Sequence, residues 1–73
     1  MMKTQHFGRI VRQRREELGL SIYAASALCK MSYKGFEEIE LGDSDPKLSN
    51  VLNISGALGI DLGDLNSCVP VLN

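Results

Sequence analysis

Ser21-Ile22-Tyr23-Ala24-Ala25-Ser26-Ala27-Leu28-Cys29-Lys30-Met31-Ser32-Tyr33-Lys34-Gly35-Phe36-Glu37-Glu38-Ile39-Glu40-Leu41-Gly42 is the stretch that decides the fold. Ser21 suits a helix N-cap, where its hydroxyl accepts a hydrogen bond from the first turn. The segment that follows, Ile22 to Cys29, is rich in alanine, the strongest intrinsic helix former. Ser32 repeats the cap signal and opens Tyr33 to Leu41, which buries Phe36 and Ile39 or Glu40 on one side and stops at Gly42. The spacing therefore predicts two short helices joined by the tight turn Cys29-Lys30-Met31-Ser32.

Outward from this pair the pattern stays helical. On the N-terminal side, Phe7, Ile10, Val11, Arg14 or Arg15, and Leu18 recur at the spacing of one helix face, with Arg9, Arg12, Gln13 and Glu16 on other faces. That predicts a first helix from about Thr4 to Leu18, stopped by Gly19 in a positive-φ conformation. On the C-terminal side, Gly42-Asp43-Ser44-Asp45 is a loop by composition, and Asp45-Pro46 reads as an N-cap followed by proline at the first helical position. Leu48, Val51, Leu52, Ser55 and Leu58 carry the next helix to Gly59, and Asp61 caps a one-turn segment through Leu65. The tail, residues 66–73, contains Pro70 and little else to place it. Leu-Gly pairs at irregular intervals mark helix ends rather than a repeat. The expected fold is all-α, with five helices and a domain over residues 1–65. Two short helices with one supporting helix before and two after are the arrangement of a helix-turn-helix.

Composition narrows the function classes. A chain of 73 residues is one domain and buries only about 60% of the surface its unfolded form exposes. Its 44% apolar and 23% charged residues are those of an ordinary globular protein. The longest apolar or small stretch, Ile22 to Cys29, is far shorter than the roughly 18 residues of a membrane span, and Met1 to Phe7 has no signal-peptide core. The expected location is the cytoplasm. Cys29 and Cys68 read as reduced thiols, Cys29 as a small buried hydrophobe, and with His6 they have no zinc-ligand spacing. Neither a metal nor another cofactor is expected. A lone His near the N-terminus leaves no nucleophile-base pair, and there is no phosphate-cradling glycine motif, so an enzyme is not expected.

The net charge of -1 hides an asymmetry. Residues 1–34 carry +5 and residues 35–73 carry -6. Such a split points either to nucleic acid at the basic end or to pairing between the two halves.

Five motifs in order, Leu18-Gly19-Leu20-Ser21, Met31-Ser32, Ile39-Glu40-Leu41-Gly42, Asp45-Pro46-Lys47-Leu48 and Ala57-Leu58-Gly59-Ile60-Asp61-Leu62, resemble the lambda repressor and Cro-like (XRE) helix-turn-helix family over about Phe7 to Leu65. The resemblance implies a sequence-specific transcriptional regulator that binds double-stranded DNA as a homodimer, with its third helix in the major groove and no small-molecule substrate. It implies DNA contacts at Ser21 and Ile22, at Ser32, Tyr33 and Lys34, and at Glu38, with the Gly42 loop near phosphates. It also implies a structural ion pair between Arg15 and Glu40. The chain departs from the family pattern at Ile22, where Gln is common, and at Asp43, where a basic residue is common. Ala25-Ser26 replaces Leu-Ala, Lys30 replaces a turn glycine, and Gly35 replaces Ser, Thr or Ala.

Each of these residues has a plainer alternative. Tyr33 either meets a sugar or thymine methyl or covers the turn; Lys34 either meets phosphate or guanine or is solvated. Glu38 either accepts from cytosine N4 or faces water, and Glu37 is expected at the surface. Arg9, Arg12 and Arg14 either flank the phosphate backbone or form a solvated face. Leu62, Leu65, Val69, Val71 and Leu72 suggest a dimer face on the fifth helix and tail. Five acidic residues between Glu37 and Asp45 keep a rival open, an interaction module of the same fold that no longer binds DNA.

Overall fold

A computed structural model describes residues 4–43 and 46–61. Among them are four helices and no strand: α1 (Thr4–Glu17), α2 (Ile22–Leu28), α3 (Tyr33–Leu41) and α4 (Leu48–Leu58). The fold is all-α, with four of the five expected helices among the described residues; the one-turn segment expected after Asp61, residues 62–65, lies outside the described residues, as do Asp45 and the tail.

Local chemistry explains where the helices begin and end. Ser21 Oγ accepts from Ala24 N and Ser32 Oγ from Gly35 N, both at 3.0 Å, so each hydroxyl satisfies an otherwise orphaned first-turn donor. The C-terminal ends of α1, α2 and α3 share one pattern, the Schellman motif. Leu20 N donates to Arg15 O, Met31 N to Ser26 O and Asp43 N to Glu38 O, at 2.9–3.1 Å. Ile60 N closes α4 on Ser55 O in the same way. The motif requires a left-handed residue, supplied by Gly19, Gly42 and Gly59 at φ 71, 76 and 69. After α2 it is supplied by Lys30 at φ 54, where a side chain meets its own backbone.

Phe7, Val11, Ala25, Cys29, Phe36, Ile39, Val51, Ile54, Leu58 and Ile60 form one buried cluster, with Ile10, Leu20, Ile22 and Met31 packed against it. α1 lies against α3 and α4, and α2 against α3. The α1–α3 approach is unusually close at Gly8, where a Cβ would lie 2.5 Å from Ile39 O and 2.6 Å from Glu40 O. Burial also pushes the Cys29 thiol above its ordinary pKa, because the thiolate would be desolvated.

Three expectations are corrected. Leu18, placed on the buried stripe of α1, is 42% exposed, since the chain has already left the helix. The buried face of α4 is Val51, Ile54, Ser55 and Leu58, whereas Leu48 and Leu52 are more than half exposed. Apolar residues cover more than one arc of α4, and both arcs satisfy the 3.6-residue period. Finally, α4 starts two residues after Pro46. Lys47 is extended, and its carbonyl accepts from both Asn50 N and Val51 N to close the first turn without a side-chain cap. The proline ring fixes φ but leaves ψ open, so it does not compel a helix.

Candidate nucleic-acid interface

The turn between α2 and α3 is held from three directions. Its own backbone closes it through the left-handed Lys30. From α4, Asn53 Nδ2 donates to Cys29 O at 2.7 Å. From α1, Arg15 fixes the far ends of the two helices that the turn joins: Nη1 donates to Leu20 O at 2.8 Å, while Nε and Nη2 donate to the two Glu40 carboxylate oxygens at 2.6 and 3.2 Å. The Arg15 and Glu40 side chains are only 12% and 5% exposed. A two-pronged guanidinium–carboxylate contact fixes orientation as well as distance. The Glu40 hydrogen bond raises the Arg15 pKa above the ordinary arginine value, outweighing the opposing effect of burial.

With α3 anchored by Phe36, Ile39 and Glu40, its opposite face is open. Tyr33 and Lys34 are exposed on the first turn, Glu37 and Glu38 are half-buried, and Leu41 is exposed at the end. Lys34 is the one cation on α3, Glu37 and Glu38 follow it one turn on, and Asp43 is exposed just past the helix end. The residues singled out from the sequence do not all share this surface. Ser21 and Ser32 are exposed helix caps whose oxygens accept from the backbone, which leaves each hydroxyl hydrogen to donate outward. Ile22 is partly buried and packs against the core. Arg15 and Glu40 are spent on each other.

Tertiary context also sorts the arginines of α1. Arg14 Nε donates to Leu58 O at 2.8 Å, placing a cation on the negative end of α4, so Arg14 serves the fold. Arg9 and Arg12 are exposed, with Arg12 loosely paired to Glu16 at 3.5 Å. One residue was passed over in the sequence: Tyr23 on α2 is 73% exposed. Its position opposite Ala25 and Cys29 on the helical wheel was the available signal.

A helix-turn-helix family model matches residues 11–65, which spans α2, α3 and α4 and the second half of α1. The chain belongs to the XRE-type helix-turn-helix family. No curated protein matches the chain. The XRE-type domain is a DNA-binding regulatory module, a class not typically enzymatic. In this member the turn keeps the backbone geometry of a left-handed residue while carrying Lys30. Among the described residues no helix is long and apolar enough to cross a membrane, and no group of three His, Cys, Asp or Glu could hold a metal.

Proposed function

We propose that this XRE-type domain is a sequence-specific transcriptional regulator that places the exposed face of α3 in the DNA major groove. The observation that carries this is the anchoring of α3. Its buried side is fixed to α1 through Gly8 and the Arg15–Glu40 pair, while Lys34 is exposed on the opposite side and Tyr33 is exposed on the first turn. A helix held this way can present side chains to base edges at a fixed angle. In this proposal Lys34 meets phosphate or guanine, Tyr33 meets a sugar or thymine methyl, and Glu38 accepts from cytosine N4. The Ser21 and Ser32 hydroxyls donate to phosphate, and Ile22 contributes apolar contact. The domain, residues 1–65, works in the cytoplasm as a homodimer on two half-sites, with the 66–73 tail at the dimer face and no cofactor.

Selection from a pool of random duplexes at about 50 mM salt tests this. Enrichment of a two-fold symmetric site is expected, and no retention of any duplex refutes it. The second reading, an interaction module that has lost DNA binding, is favoured by Glu37 and Glu38 lying one turn from the single lysine of α3 and by Asp43 just past the end of the helix. Lys34→Ala and Glu38→Gln separate the two. A DNA reader loses affinity with the first and relaxes its preference at one base pair with the second, whereas a module that does not bind through α3 shows neither change.

A further inference from the structure

A groove of about 210 Å³ opens where α1, the start of α2 and the end of α3 meet, lined by Arg12, Arg15, Ile22, Glu37, Glu40 and Leu41. Its polar groups are unequally committed. Arg15 and Glu40 are almost wholly buried against each other, Glu37 is a half-buried carboxylate, and Ile22 and Leu41 are apolar. That leaves Arg12 as the cation with reach: its side chain is 61% exposed and restrained only by Glu16, itself 59% exposed, at 3.5 Å. α2 carries no charged residue, and the single lysine of α3 is on the first turn, so among the described residues Arg12 is the cation bordering this groove that is held only by an exposed surface pair.

A duplex has a phosphate backbone on each side of its major groove. A helix lying there needs a cation beside each of its flanks, and surface ion pairs are weak enough to be exchanged for a phosphate. We propose that Arg12 is the phosphate-holding cation at the α2 flank of the interface, and that Glu16 competes with the phosphate for its guanidinium. This inference rests on the DNA-binding reading above. It assigns uniform affinity to a side chain of α1, outside the two-helix unit, and makes Glu16 a brake on that affinity.

The test is fluorescence anisotropy of the full chain with several unrelated duplexes between 50 and 200 mM salt, for wild type, Arg12→Ala, Arg12→Lys and Glu16→Gln, with thermal melts of each variant. Loss of one phosphate contact makes the slope of log K against log salt shallower by about 0.9. The affinity deficit of Arg12→Ala should therefore be about threefold larger at 50 than at 200 mM salt, on every duplex. Arg12→Lys should keep the wild-type slope even if its melting temperature shifts, and Glu16→Gln should bind every duplex more tightly. An unchanged slope in Arg12→Ala, or a loss confined to one base pair, overturns the phosphate role. No gain in Glu16→Gln overturns the competition. If wild type binds no duplex, the DNA reading itself fails, an outcome distinct from wild-type binding that ignores Arg12.

Discussion

Gly8 and Gly56 both lie inside helices, and replacing each by alanine should move stability in opposite directions. At Gly56 a Cβ meets nothing within 4 Å. Alanine there gains its helix propensity over glycine, about 0.5–1 kcal/mol, with no opposing contact. At Gly8 the same methyl would sit 2.5 and 2.6 Å from the carbonyl oxygens of Ile39 and Glu40, about 0.8 Å inside ordinary contact. Those atoms are backbone of an anchored helix and cannot rotate away. Overpacking a core costs about 1–3 kcal/mol, and a rigid neighbour puts this site near the upper end. Subtracting the propensity gain leaves a net loss of about 2 kcal/mol for Gly8→Ala. For a domain of this length 1 kcal/mol moves Tm by about 4–8 °C. Gly8→Ala should therefore melt about 8–16 °C lower, and Gly56→Ala a few degrees higher, by circular dichroism. Since total stability should be about 4–11 kcal/mol, both proteins remain foldable and comparable. If Gly8→Ala melts at or above wild type, α1 and α3 are not packed backbone to backbone and the reasoning fails.

Arg15→Ala and Glu40→Ala should each lose about 3–5 kcal/mol in urea melts, since each strands a nearly buried charge. A double-mutant cycle should show strong coupling, and additivity would refute the pairing. Lys30→Gly relieves a left-handed side chain and should stabilise by up to about 1 kcal/mol, with Lys30→Ala giving no such gain. Cys29 has its pKa raised in the fold, whereas the unfolded thiol ionises near about 8.5. The folded form keeps a proton that the unfolded form releases, so stability present below that pH declines above it. The stability gap between wild type and Cys29→Ala should accordingly narrow from pH 7 to 10, and a constant gap would contradict the assignment.

The sequence was most readable where structure is decided within four residues. Ser21, Ser32 and three of the four left-handed helix stops are local devices, and each could be named without knowing the partner helices. Choices made by tertiary contact were not readable. Nothing local distinguishes Arg12 from Arg14, yet Arg14 caps α4 while Arg12 stays open. The apolar positions of α4 allow more than one inward face, and Ile54 was missed because Leu48 and Leu52 fit the same period. Gly8 reads locally as a weak helix residue, and its value shows only against α3. The α3 face was legible as residue types, but which of them stand clear of the core depended on the fold. Ile22, for one, turns partly inward.

The contacts of α3 with α1 are lopsided, and this makes its C-terminal end the hinge about which a disturbed α1–α3 contact would tilt it. Its fixed points to α1, the Gly8 approach and the Arg15–Glu40 contact, sit at its last residues. Lys34 is six residues from Glu40, about 9 Å along the axis. A tilt of about 6° at the hinge would swing Lys34 sideways by roughly 1 Å, a large error for a side chain that must meet a base edge or a phosphate oxygen. Aim and stability therefore share the same few residues. A substitution at the hinge that the fold survives can still leave α3 pointing at the wrong place, so a full thermal transition in such a variant says little about whether it reads its target.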